Sequence, residues 1–131
     1  MANPTSLTVT DLTANGSVTQ PAAQAIDTNG TVPLAAEGAH DRVLIEVVNA
    51  DDAALTVTIK AGAESAGAGR AGIGDLAVSL AATGGAGDKK IIGPFESARF
   101  QQAGGALSVQ FAAATGAPNA TVRAYRLPKA V

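Results

Sequence analysis

Arg42-Val43-Leu44-Ile45-Glu46-Val47-Val48-Asn49-Ala50-Asp51-Asp52-Ala53-Ala54-Leu55-Thr56-Val57-Thr58-Ile59-Lys60 carries the densest apolar alternation in the chain. From Leu55 to Lys60 apolar and polar residues alternate strictly, the period of a half-buried strand with Leu55, Val57 and Ile59 inward and Thr56, Thr58 and Lys60 outward. Val43 to Val48 is apolar on one face through Val43, Ile45 and Val47. Its other face mixes Leu44 and Val48 with Glu46, and is expected to be partly covered. With the acidic turn Asp51-Asp52 between them, the two segments predict a β-hairpin.

The pattern recurs on both sides of this stretch. Ser6 to Thr10 alternates with Leu7 and Val9 on the side to be buried. From Leu12 to Val32 small and polar residues dominate, with Asn15-Gly16, Pro21 and Asn29-Gly30 as turn signals, which reads as an arm or long loop. Only weak strand candidates, Ser17 to Thr19 and Thr31 to Val32, flank the turns; Pro21 to Ile26 has the makings of a helical turn. Ala61 to Gly74 is a Gly and Ala tract without the side-chain volume for a core.

Beyond it, strands are predicted at Asp75 to Leu80, Lys89 to Ile92, Phe95 to Gln102, Leu107 to Phe111 and Thr121 to Leu127. Glycine-rich or proline-containing turns separate them, Gly93-Pro94 among them. About eight short strands and no amphipathic helix predict an all-β, single-domain β-sandwich or jelly-roll-like barrel with an extended N-terminal arm. Residues 1–32 are read as the arm with its short strand and residues 33–131 as the sandwich or barrel domain.

Composition narrows the function classes. The chain has 131 residues, and its aromatic fraction of 3% is only Phe95, Phe100, Phe111 and Tyr125. Much of the 47% hydrophobic content is Ala. The core should be thin and aliphatic, and modest buried area leaves little margin over chain entropy. That favours an oligomer or a partner. A net charge of −2 with scattered basic residues argues against nucleic acid, whose binding needs a concentrated basic face. No apolar run approaches the ~20 residues of a bilayer span, and the start, Met1 to Asp11, has no export-signal pattern, so cytoplasmic synthesis without a membrane partner is expected. Without cysteine there is no disulfide, thiolate chemistry or cysteine-based zinc site.

Candidate chemistry is sparse. Gly67-Ala68-Gly69-Arg70-Ala71-Gly72 spells the dinucleotide-binding pattern, but a strand rather than a helix follows it, so a flexible loop is the better reading. His40, the only histidine, stands beside Asp41 and near Glu37; a catalytic or metal role needs further groups, and a solvated turn before the strand is the better reading. Asp51-Asp52 lacks calcium-loop spacing and suits turn chemistry. The sequons at Asn15, Asn29 and Asn119 are read as turn composition. An enzyme would need His40, or an acid pair such as Glu46 with Asp75, to converge in a pocket. No enzyme activity, cofactor or metal is therefore expected. Lys89-Lys90 and Arg123, Arg126 and Lys129 read as rim charges of a protein contact. Arg123 and Tyr125 share one face of the last strand, with Arg126 on the other.

Ile91 to Phe100 with its Gly93-Pro94 break, then Leu107-Ser108-Val109-Gln110-Phe111 and the closing Val122-Arg123-Ala124-Tyr125-Arg126-Leu127-Pro128, make the region from Arg42 onward resemble a family of small all-β virion proteins of tailed phages. These are cysteine-free and rich in Ala, Gly and Thr. The resemblance implies a head decoration, or capsid cement, protein on the outer capsid surface, with the major capsid protein and further copies of itself, most often as a trimer, for partners. An arm that pairs with a neighbour also belongs to that picture; the strand around Leu7 and Val9 would either complete its own sheet or add to a partner's edge. No catalytic motif transfers. The residues expected at a partner contact are Leu7, Val9, Leu44, Val48, Arg123 and Tyr125. A tail or head-completion protein and a carbohydrate-binding or adhesive sandwich are the alternatives; the absence of Trp counts against the sugar reading.

Overall fold

Val43–Asn49 and Leu55–Ile59 are both strands, and each buries every second side chain as its alternation requires. The computed structural model describes residues 3–37, 39–62 and 74–128. Among these, nine strands form: β1 (Val9–Asp11), β2 (Gln24–Ile26), β3 (Gly30–Leu34), β4 (Val43–Asn49), β5 (Leu55–Ile59), β6 (Leu76–Leu80), β7 (Lys89–Ile92), β8 (Leu107–Ala113) and β9 (Ala120–Arg126). They make two open sheets, one of five strands in the order β1-β9-β4-β7 with β2 also on β9, the other of four in the order β3-β8-β5-β6. The protein is a β-sandwich, and among the described residues no barrel closes.

The predicted hairpin does not form. β4 pairs with β7 and β9, whereas β5 pairs with β6 and β8, so the acidic turn carries the chain from one sheet to the other. Alternation dictates one buried face per strand, and two such faces are as well satisfied across a core as side by side. Buried Asn49, 1% exposed, pins the crossover. Its Nδ2 donates to the carbonyls of Ala53 and Ala81, both at 2.9 Å, and its Oδ1 accepts from Asp51 N at 3.1 Å.

Between the sheets lies one core. Val43, Ile45 and Val47 face Leu55, Val57 and Ile59, with Val32, Leu34, Leu107, Val109, Phe111, Val122 and Ala124 filling in from the neighbouring strands. It is aliphatic apart from Phe95, Phe100 and Phe111, as composition requires.

Phe95 to Gln102 is not a strand; Ser97–Phe100 is a single helical turn, α1. Phe95 and Phe100 are five positions apart, and on a strand that odd spacing would send them to opposite faces. The turn buries both instead, edge to face at 5.8 Å between ring centroids.

The N-terminal segment is built into the sandwich. β1 runs parallel to β9, β2 runs antiparallel to the same strand, and β3 pairs with β8. Pro21 to Ile26 thus ends in a strand rather than a helical turn. Leu7 bridges to Leu34, and its N–H donates to Pro33 O at 2.8 Å. Asn29 ties this segment to the β8–β9 turn, donating to Gly116 O at 3.0 Å and accepting from Ala113 N at 2.8 Å.

Candidate interaction face

Register in the five-stranded sheet decides which side chains meet on its outer surface. Residues directly opposite in an antiparallel pair share a face. Leu44 therefore lies beside Tyr125, Glu46 beside Arg123 and Val48 beside Thr121; on the other flank Ile91 lies beside Glu46 and Lys89 beside Val48. The sheet thus brings four of the six predicted contact residues, Leu44, Val48, Arg123 and Tyr125, onto one face, all half-buried.

Glu46 organises the polar centre of this face. Tyr125 Oη donates to Glu46 Oε1 at 3.2 Å, and Arg123 Nη1 lies 3.8 Å from the same oxygen. Arg123 Nε donates to Pro21 O at 2.9 Å, so the β1–β2 connection straps one margin of the face. Desolvation, then the charge and hydrogen bond of Glu46, push the Tyr125 phenol above its ordinary range, while a Gln20 hydrogen bond and Arg123 act the other way. The phenol accordingly stays protonated and a donor. On the opposite margin an open depression of about 330 Å³ is lined by Glu46, Lys89, Lys90 and Ile91. Ile91 is 68% exposed, a large apolar side chain beside charged neighbours. Sequence reasoning passed over Ile91, though Ile91 and Ile92 are adjacent on a strand and only one of them can face the core.

Leu7 and Val9 do not join this face. Leu7 is 1% exposed and belongs to the core, and Val9 packs partly buried against it. Their alternation marked burial within the chain itself: Leu7 bridges to Leu34 of β3, and Val9 lies in β1 along β9.

His40 is not solvated. It occupies a one-turn 3-10 helix, His40–Arg42, with its ring fully buried and Nε2 donating to Ala106 O at 3.1 Å; Nδ1 has no partner among the described residues. Asp51 and Asp52 serve the crossover turn, Asp51 Oδ1 accepting from Asp52 N at 2.8 Å. Glu46 and Asp75 do not converge: the first lies on the five-stranded sheet, and the second binds Lys60 Nζ at 2.8 Å and Ala61 N beside the other sheet. Arg126, opposite in phase to Arg123, pairs with Asp11 at 2.6 Å and Glu37 at 3.6 Å. The glycine-rich 67–72 motif and Lys129 lie outside the described residues. Among the described residues no group of three or more His, Asp or Glu is placed to hold a metal ion, and no helix is long and apolar enough to cross a membrane.

Comparison with protein-family models, curated proteins and solved structures finds no match to this chain.

Proposed function

We propose that this chain is a structural phage virion protein, a decoration or cement protein that binds the outer surface of the head lattice and stabilises it without chemistry. The observation that carries this reading is the outer face of β4, β9 and β7. There Leu44, Val48 and Ile91 keep apolar surface open to solvent around a polar centre whose donors and acceptors are already oriented. Exposed apolar groups interleaved with an Arg and a Tyr, residue types enriched where proteins meet, are the makings of a protein contact. The partner is the major capsid protein.

A protein that binds only the assembled lattice stabilises it by mass action, and repetition of the site multiplies the effect. Purified protein added to undecorated heads is expected to co-sediment with them and raise their resistance to heat. Ile91→Asp, on a side chain too exposed to carry the fold, is expected to abolish co-sedimentation while leaving thermal unfolding of the free protein within ~0.5 kcal/mol of wild type. Heads that neither bind nor gain heat resistance refute the proposal. Binding that survives Ile91→Asp unchanged refutes the assignment of this face.

A further inference from the structure

A sandwich with two open sheets has four edges, and among the described residues three of them are guarded by their own sequence. β7 carries Lys89 and Lys90 and ends at Gly93-Pro94; β3 contains Pro33, whose carbonyl is taken by Leu7 N–H at 2.8 Å. The β1/β2 edge is two three-residue strands, with Gln24 Oε1 capping Thr8 N at 2.8 Å. Charge, proline and shortness are the usual means of keeping edges from pairing. β6, Leu76-Ala77-Val78-Ser79-Leu80, has no charge and no proline.

The hydrogen-bond phase shows what this edge offers. Lys60 N–H donates to Ser108 O and Ala114 N–H to Ala54 O, so the even-numbered residues around β5 bond β8 and its odd-numbered residues bond β6. Across the β5–β6 ladder those odd residues meet Leu76, Val78 and Leu80. The backbone groups of Ala77 and Ser79 therefore point outward. Lys90 Nζ donates to Ser79 O at 2.8 Å, and Arg99 donates to Gly74 O and Asp75 O at 3.0 and 3.1 Å. The described residues place no partner on Ala77 N–H, Ala77 C=O or Ser79 N–H, and Ser79 O keeps a second lone pair.

We propose that β6 pairs antiparallel with β6 of a second copy about a two-fold axis at Val78. The sequence Leu-Ala-Val-Ser-Leu reads nearly the same in both directions, and that symmetry identifies the occupant. Ala77 of each copy exchanges both backbone hydrogen bonds with Ser79 of the other, giving four bonds in all. On the inner side Val78 meets Val78 and Leu76 meets Leu80, covering Leu76 and Val78, which the single chain leaves half-exposed. On the outer side the small Ala77 and Ser79 meet without a clash. The two four-stranded sheets become one, joined isologously.

Sedimentation equilibrium over a concentration series is expected to show a monomer–dimer equilibrium. Ala77→Pro removes one outward donor per copy without touching the β5 ladder, and is expected to weaken the dimer roughly ten- to a hundredfold. A second variant needs no loss of function. The chain has no cysteine, so Val78→Cys, at a non-hydrogen-bonded pair with Cα atoms about 4.5 Å apart, is expected to form an oxidised dimer far faster than the control Thr58→Cys on the middle of the same sheet. A monomer up to millimolar concentration, a trimer, or a dimer indifferent to Ala77→Pro with no preferential Val78→Cys cross-linking each overturns the proposal.

Discussion

Asn49→Ala tests the crossover that replaces the expected hairpin. The side chain is almost wholly buried and makes three hydrogen bonds, two donated to Ala53 O and Ala81 O and one accepted from Asp51 N. A typical intramolecular hydrogen bond contributes about 1 kcal/mol net, so deletion removes ~3 kcal/mol, with any buried carbonyl that water fails to reach adding to the loss. For a domain of this size that lowers Tm by roughly 10 °C.

Asn49→Asp sharpens the test. It keeps the acceptor for Asp51 N but turns a carboxylate oxygen towards two carbonyl oxygens, so burial and repulsion raise its folded pKa above the unfolded value of about 3.9. For an acid shifted in that direction, the penalty is absent below the unfolded pKa, grows as pH rises, and is complete above the folded pKa. Thermal melts at a series of pH values, each compared with wild type at the same pH, should therefore find Asn49→Asp worse than Asn49→Ala at neutrality. Near pH 3 it should be no worse, because the protonated acid can donate one of the two bonds. If both variants melt with wild type at neutral pH, or if Asn49→Asp tracks Asn49→Ala at every pH, Asn49 does not hold the crossover as described.

Leu7→Ala should cost about 2–4 kcal/mol in denaturant unfolding, the range for a large-to-small change in a core and far more than a free arm would show. Asp75→Asn probes the acid limb of stability. The hydrogen bond from Lys60, then that from Ala61 N–H, holds the Asp75 carboxyl below its ordinary value of 3.8, so wild type gains stability above that value and loses it as pH falls through the lower folded value. The variant's pH–stability profile should be flatter in that acid window, and a profile parallel to wild type would contradict the pairing.

The strands around Asn49 were legible because alternation records which side chains are buried. It does not record which strand lies alongside, and so the step from Val43–Asn49 to Leu55–Ile59 reads equally well as a hairpin or as a crossing between sheets. What discriminates them is Asn49 bonding to Ala81, a residue 32 positions away that no local pattern brings near. The same holds for His40. Beside Asp41 and Glu37 it reads as a surface residue, and its burial is explained by the Ala106 carbonyl, 66 positions on. Phe95 and Phe100 show the opposite case: their odd spacing already argued against a strand if both were to be buried. On the candidate face, Leu44 and Val48 were legible from the phase of their strand and Arg123 and Tyr125 from theirs, while the register that brings the two pairs together is tertiary.

The two sheets also differ in what their outer surfaces present. The outer surface of the four-stranded sheet presents Thr31, Thr56, Thr58, Ser79 and Ser108, short uncharged side chains that offer little area to a protein partner, together with Gln110. Its charges, Lys60 and Asp75, pair with each other at one end of the sheet, whereas Glu46, Lys89 and Arg123 stand with Leu44, Ile91 and Tyr125 on the five-stranded sheet. Strands that pair antiparallel at an edge are related by a two-fold perpendicular to their common sheet. In the dimer proposed at β6, both five-stranded sheets therefore cover the same side of the joined sheet, and both Leu44–Tyr125 faces point the same way. A pair of contact faces so aligned can engage two neighbouring positions of a repeating lattice at once. The second engagement is then intramolecular, so a face of modest affinity suffices where a single copy would dissociate. In the proposed dimer, pairing at β6 would add stability to a chain with a thin aliphatic core and would double the number of faces offered to the proposed lattice partner.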